Sequence, residues 1–249
     1  MYIILICIAL IFIICIVLYL YIKNYGYQAG EYINKLFIKN CTDPSVFDPK
    51  DFKWTQNFRD NWKNILNEYQ KYVNKFYLPP HSNINKIVSS CDTDNKWKTI
   101  YLRAFGRDTE LIKYFPKTQK LIDSCDCTLA FFSVLEPGAK LQPHKGIYKG
   151  VIRYHLGLII PDKWNDCFIN VDNHKLHWKT GEDIMFDDLF THYVENNTDQ
   201  RRVILFLDIK RNFRNPILNF INTVMLYFIK SNDALDETIL NANNNVFIK

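Results

Sequence analysis

The sequence predicts a mainly β domain of the antiparallel sandwich or jelly-roll class, carried behind an N-terminal membrane anchor. Three observations predict it. Met1 to Ile22 contains no charged side chain, and about 20 consecutive apolar residues match the hydrocarbon thickness of a bilayer. From Cys127 onward, short β-branched and aromatic runs alternate with turn signals at Pro137-Gly138, Pro161-Asp162, Asp172-Asn173 and Thr180-Gly181, the punctuation of short antiparallel strands. Between Phe131 and Asp208, His144, His192, Arg153 and Arg202 sit on or beside those runs. That placement reads as a metal and oxo-acid site inside a small β-barrel.

Taken in order, the chain opens on the apolar run. A secretory signal peptide has a basic start, a shorter apolar core and a small-residue cleavage site. Here the run is longer and nothing basic precedes it, so residues 1–23 read as a retained single-pass transmembrane helix. Lys23, Lys35 and Lys39 follow the span, which favours a cytosolic body. Asn40-Cys41-Thr42 and Asn196-Asn197-Thr198 are glycosylation sequons, which matter only in a lumenal body, so the side of the membrane stays open. Residues 24–50 form a juxtamembrane connector.

A body follows over residues 51–211. Asp51 to Tyr77 is helical in character, because Phe58, Trp62, Ile65, Leu66, Tyr69 and Tyr72 recur at three- and four-residue steps. Pro79-Pro80 stops that helix, and Asn83 to Asn95 reads as loop. Lys96 to Leu102 begins the β-rich part, and Asp108 to Leu121 is helical with Pro116 interrupting it. Residues 212–249 are an amphipathic helix over Ile217 to Ile229, lying on the domain or on the membrane, and then a loose polar tail from Ser231.

The chain of 249 residues, 48% hydrophobic and 15% aromatic, is long enough for one domain with a full core. Its charge of +5 is scattered, which argues against nucleic acid as a partner and leaves a modest preference for anionic membrane surfaces. The seven cysteines have neither a disulfide framework nor zinc-site spacing, and Cys125-Asp126-Cys127 reads as two strand-edge thiols. His174 and His177 supply too few ligands for a metal and read as surface residues.

His144 falls in a turn after Pro143, and His192 enters a strand after Phe186-Asp187-Asp188. Neutral imidazole suits iron, copper and zinc. Alternation puts Arg202, Ile204, Phe206 and Asp208 on one strand face and Arg201, Val203, Leu205 and Leu207 on the other. A guanidinium pointing into a barrel suits a bidentate carboxylate contact. The competing reading is an internal ion pair with Asp187 or Asp188.

Four separated motifs carry a resemblance. Leu135-Glu136-Pro137-Gly138 through His144, Arg153 through Leu158, Phe186-Asp187-Asp188 through His192, and Arg202 to Asp208 resemble the aspartyl/asparaginyl β-hydroxylase family, with Pro116-Lys117-Thr118 fitting an upstream element. The resemblance covers about Phe47 to Arg211. It implies a double-stranded β-helix holding Fe(II), with 2-oxoglutarate and O₂ as cosubstrates and succinate and CO₂ as products. It implies His144 and His192 as iron ligands and Arg202 as the grip on the distal carboxylate of 2-oxoglutarate. Ser133, Arg153, His155 and Trp97 are the remaining cosubstrate contacts it implies. Where most such enzymes place a third, carboxylate ligand, this chain has Gly146, and two-histidine ligation is what the family resemblance implies.

Asp187 or Asp188 is a candidate acceptor for an imidazole N–H. On the family name the expected substrate is an Asp or Asn side chain of a protein, with a lipid acyl chain, as in lipid A hydroxylases, as the alternative. A non-catalytic jelly-roll binding protein is a third reading, which loss of either histidine or of Arg202 would favour. All three residues are present.

Overall fold

The computed structural model describes residues 13, 16–17, 30–75, 77–84, 91–232 and 236–244, and the chain divides into two compact units, Met1–Thr42 and Asp43–Lys249. In the first unit residues 30–40 are helical. The anchor expected over residues 1–23 lies outside the described residues, apart from Ile13, Ile16 and Val17. Among the described residues no helix is long and apolar enough to cross a membrane.

The second unit is built on strands β1 (Val46–Phe47), β2 (Trp97–Ala104), β3 (Arg107–Asp108), β4 (Cys127–Leu135), β5 (Lys140–His144), β6 (Val151–Ile159), β7 (Cys167–Val171), β8 (His174–His177), β9 (Asp183–Phe186), β10 (His192–Asn196) and β11 (Arg202–Lys210). They form a large sheet ordered β1-β9-β6-β11-β4-β2-β3 and a small sheet ordered β5-β10-β7-β8. From β4 onward the chain winds between them: β5, β7, β8 and β10 lie in the small sheet, and β6, β9 and β11 in the large one. That winding is a double-stranded β-helix. The range expected to be connector contributes β1, which pairs with β9.

Central strands buried on both faces read as continuous apolar runs, and β11 shows why. Val203, Leu205, Leu207 and Ile209 join a core with Phe58, Ile65 and Tyr69 of the helices. Ile204 and Phe206 join a second core with Leu141, Ile169, Trp178 and Val194, which come from the small sheet and its connection to β9. Fully burying residues such as Phe58, Ile65 and Tyr69 contributes roughly 1.5–3 kcal/mol each. Asp172 (φ 48°) and Asn173 (φ 69°) make the left-handed pair that closes the β7–β8 hairpin.

The expected single helix over residues 51–77 is instead a 3₁₀ turn and two helices, Thr55–Asp60 and Trp62–Val73, broken at Asn61. Pro116 does not interrupt a helix. It starts one, Pro116–Ile122, after a 3₁₀ turn over Glu110–Tyr114. The Glu68 carboxylate accepts from the backbone N–H of Lys117 (2.8 Å) and Thr118 (2.9 Å) and from the Thr118 hydroxyl (2.7 Å), satisfying donors that a helix N-terminus leaves free.

The C-terminal segment also departs from expectation. It is not loose throughout, because Asp236–Asn244 is helical, Ala242 is fully buried, and Asn243 accepts from Glu110 N–H at 3.0 Å. The Asn196 sequon is not available for glycosylation in the folded protein. Asn196 is fully buried, and its amide donates to the carbonyls of Leu135, Glu136 and Gln200. The described cysteines form no disulfide with one another. His174 is exposed and His177 half-buried at the hairpin, as expected for surface histidines.

Candidate active site

The register of the small sheet sets His144, the last residue of β5, opposite His192, the first of β10. Their ring centroids are 4.2 Å apart. Nδ1 of His144 donates to the Gln142 carbonyl at 2.7 Å, and Nδ1 of His192 to the Phe190 carbonyl at 2.9 Å. A carbonyl only accepts, so Nδ1 carries the hydrogen and Nε2 of each ring keeps its lone pair. Burial lowers the His144 pKa, partly opposed by the Gln142 bond and reinforced by Arg153. Burial, then His144 and Arg153, push His192 down to about 3. Both imidazoles are therefore neutral at neutral pH, the form that binds a metal. Among the described residues no cluster of three or more His, Cys, Asp or Glu is placed to ligate a metal.

The two histidines open into a pocket lined also by Trp97, Ser133, Arg153, His155, Trp178 and Arg202. All seven site residues expected from sequence line it. Its far wall is made of donors. Trp97 Nε1 donates to Ser133 Oγ at 2.9 Å, and Arg202 Nη2 donates to the same oxygen at 3.3 Å. Those two bonds use both lone pairs of Ser133 and leave its hydroxyl hydrogen to donate. Trp178 Nε1, which only donates, reaches His155 Nδ1 at 3.3 Å, so His155 carries its hydrogen on Nε2. That nitrogen and Arg202 Nε are buried without a partner among the described residues. Burial holds His155 neutral, with Arg202, Arg153 and His192 adding to the effect. Three donors thus lack an acceptor in one wall, and buried donors require one.

The two arginines expected to contact the cosubstrate separate here. Arg153 realises the internal-pair reading: it meets Asp188 at 2.8 Å and Asp208 at 2.9 Å, with its guanidinium 4.5 Å from the Phe206 ring centroid. Arg202 is 2% exposed, lies 4.5 Å from the Trp178 ring centroid, and meets no carboxylate among the described residues. Burial lowers its pKa to about 10. The competing reading, a pairing of Arg202 with Asp187 or Asp188, is not found among the described residues.

Neither aspartate carboxylate takes an imidazole N–H among the described residues, because backbone carbonyls occupy both Nδ1 positions. Asp188 serves Arg153. Burial raises its pKa to about 6, opposed by Arg153. Its carboxylate occupies the space in which a Cβ on Gly146 would lie, and its carbonyl accepts from Gly146 N–H at 2.6 Å. The absence of a side chain at position 146 therefore has a steric cause.

Asp187 accepts from Lys149 Nζ and Arg211 Nη2, both at 2.5 Å, and from Leu189 N–H at 3.1 Å. Arg211 also reaches Asp43 at 2.7 Å. This buried cluster ties the end of β11 and the start of β6 to the turn that delivers His192. Removing one member of a buried ion cluster costs about 3–5 kcal/mol. Asp187→Ala is expected to lower unfolding stability by that order, read as the urea midpoint. A shift under about 0.5 kcal/mol, the size of an ordinary surface substitution, would refute the cluster's structural role.

Sequence reasoning missed Trp178 and the Lys149–Arg211 pair. The available signal for Trp178 was a large aromatic in an otherwise polar hairpin stretch. Lys149 and Arg211 flank apolar strands and read as ordinary strand-end charges.

Comparison with known proteins gives four findings. Residues 59–212 match the family described as aspartyl/asparaginyl beta-hydroxylase. An ornithine lipid ester-linked acyl 2-hydroxylase of Rhizobium tropici is 36% identical over 200 residues, 79% of this chain and 70% of that protein. An aspartyl/asparaginyl beta-hydroxylase of Homo sapiens is 29% identical over 174 residues, 65% of this chain but only 22% of the human protein. Among solved structures, a Pseudomonas putida prolyl-4-hydroxylase aligns with a TM-score of 0.41 at 14% identity, covering 62% of this chain and 88% of that one.

Proposed function

We propose a function from the premise that this chain belongs to the aspartyl/asparaginyl β-hydroxylase family. It is a hydroxylase that uses Fe(II), 2-oxoglutarate and O₂. The observation that carries this reading is the split cavity: two neutral imidazoles with free Nε2 atoms face a wall of three donors that lack an acceptor. The first half fits a divalent metal and the second a dianionic oxo-acid. His144 and His192 would hold the iron. Arg202, Ser133 and His155 would bind the cosubstrate carboxylates, with Trp97 fixing Ser133. Arg153, held by Asp188 and Asp208, adds positive potential rather than a free donor fork.

When bound, iron and 2-oxoglutarate supply O₂-driven hydroxylation of a C–H bond, with succinate and CO₂ as co-products. The chain's own part is orientation. The carbonyls of Gln142 and Phe190 fix the imidazole tautomers. Arg202 is set by Ser133 and by the Trp178 face, so its fork is ordered before the ligand arrives. Apolar walls from Leu141, Ile169, Val194 and Phe206 exclude water around the reacting centre.

For the substrate, the ornithine lipid ester-linked acyl 2-hydroxylase aligns over 79% of this chain and 70% of its own length at 36% identity. We therefore place the acyl chain of a membrane lipid first, ahead of the Asp or Asn side chain suggested by the family name. The uncharged run over residues 1–22 supports a membrane-anchored protein. The protein-substrate reading keeps support from the human relative, and assays with an ornithine lipid and with an Asp-containing peptide separate the two.

The test of the chemistry needs no substrate. Full-length protein is titrated with Fe(II) without oxygen, with and without 2-oxoglutarate, and the visible charge-transfer band of the chelate is followed. The band is expected in the native protein and absent in His192→Ala. Iron binding by folded protein without the band overturns the reading. A companion prediction concerns Gly146→Asp, which installs the carboxylate most such enzymes use. Because Asp188 fills that space, the variant is expected to bind Fe(II) more weakly than the native protein, and tighter binding would refute the steric account.

A further inference from the structure

The solvent faces of two helices differ in kind. Trp62–Val73 turns Lys63, Asn67, Gln70 and Lys71 outward, the polar face a surface helix normally shows. Pro216–Lys230 buries Leu218, Asn222 and Met225, yet its outward residues include Ile217 (67% exposed), Phe220 (50%) and Tyr227 (67%). Their three- and seven-residue steps make one apolar stripe along the helix. Along the chain the charge flanking the stripe has one sign. No Asp or Glu occurs between Asp208 and Asp233, while Arg214 and Lys230 are exposed at the two ends of the helix.

The inward face fastens this helix to the segment just after His144. Asn222 Oδ1 accepts from the Tyr148 hydroxyl at 2.7 Å, and Asn222 Nδ2 donates to the carbonyls of Gly150 and Arg211, both at 2.9 Å. The neighbouring Ile147 is 69% exposed.

We infer that Pro216–Lys230 is a membrane-contact helix, with its Ile217–Phe220–Tyr227 stripe seated in the headgroup layer of an anionic phospholipid bilayer. Arg214 and Lys230 meet the lipid phosphates at either end. Charge complementarity selects this occupant: an apolar stripe bracketed by cations and free of carboxylates suits anionic lipid. The uncharged run over residues 1–22 would hold the body beside such a surface, so the helix adds a second, weak contact to an existing tether. The Asn222 latch then keeps the His144 segment near lipid. That last consequence rests on the lipid-substrate reading above, and the membrane contact itself does not.

The full chain is reconstituted into phosphatidylcholine vesicles with or without phosphatidylglycerol, each carrying a trace of diazirine-bearing phospholipid, and lipid adducts are mapped by peptide mass spectrometry. Adducts on residues 216–230 are expected several-fold above those on residues 62–73, and to rise with phosphatidylglycerol. The combined variant Ile217→Asn, Phe220→Ser and Tyr227→Ser is expected to fall to the level of residues 62–73 with an unchanged circular dichroism spectrum. Adducts confined to residues 1–22 overturn the inference, as does a variant that labels like the native chain or a stripe that crosslinks to a second copy instead of lipid. Succinate formation is scored separately, so a protein that labels at the helix but makes no succinate sinks the proposed reaction and leaves this surface standing.

Discussion

Arg202→Ala is expected to lower 2-oxoglutarate affinity by about two orders of magnitude or more while Fe(II) affinity changes only a few-fold. Truncating one partner of a buried charge pair costs on the order of 2–5 kcal/mol, and in the proposed site Arg202 is the only described guanidinium in the donor wall without a carboxylate of its own. Arg202→Lys is not expected to rescue. An ammonium replaces a planar fork with a point charge and loses the stack on the Trp178 ring 4.5 Å away. The apo protein should respond in the opposite sense. Burial depresses the Arg202 pKa to about 10, so at neutral pH its charge is held at a cost. Arg202→Met is therefore expected to be at least as stable as the native apo protein, yet to show no rise in Tm with 2-oxoglutarate. Native affinity in Arg202→Ala, or a marked loss of apo stability in Arg202→Met, would assign the residue to the core instead of the ligand.

That contrast between Arg202 and Arg153 marks the limit of what was legible in sequence. Strand alternation placed Arg202 and Phe206 on one face correctly, because a two-residue period follows from backbone geometry alone. The same rule does not say which arginine has a carboxylate beside it. That depends on the register of β6 against β9 and β11, which brings Asp208 opposite Arg153 and leaves Arg202 opposite Leu135. The motifs contain both histidines, His155 and Arg202, and the family resemblance adds Ser133 and Trp97; the structure brings all of them to one pocket. Neither gave notice of Trp178, whose role arises from the connection between β8 and β9. The helix break at Asn61 and the helix Asp236–Asn244 were missed for a related reason. Both are decided by packing, Ala242 in a buried contact being one example, and local pattern is a weak guide where tertiary contacts prevail.

The second large effect is acid sensitivity of the apo protein. His81, His155 and His192 are 3%, 4% and 2% exposed. Burial pushes His81 and His192 down to about 3 and His155 well below its ordinary value. A depressed histidine pKa means that the unfolded chain takes up protons that the folded protein refuses. The stability involved is intact above the unfolded value near 6.5 and is lost as pH falls below it. Each group contributes a slope of about 1.4 kcal/mol per pH unit, so three give about 4. Asp188, raised to about 6 by burial, works in the opposite direction, since the folded state gains its proton first. Asp92 and Asp183 are also raised, chiefly by burial, and oppose the histidines in the same way. Allowing for these, a net loss of roughly 2–4 kcal/mol is expected between pH 6.5 and 5, a large share of a typical 5–15 kcal/mol. Urea unfolding at pH 7.5, 6 and 5 measures it directly. His81→Phe isolates one share, because His81 stacks on Trp97 at 3.8 Å between centroids and its Nδ1 has no partner among the described residues. Phenylalanine should keep the stack, remove one titrating group and flatten the slope by about a third of the histidine contribution. An unfolding midpoint that stays constant from pH 7.5 to 5 would mean that these rings are not held neutral, and the free Nε2 atoms proposed to receive the metal would lose their physical basis.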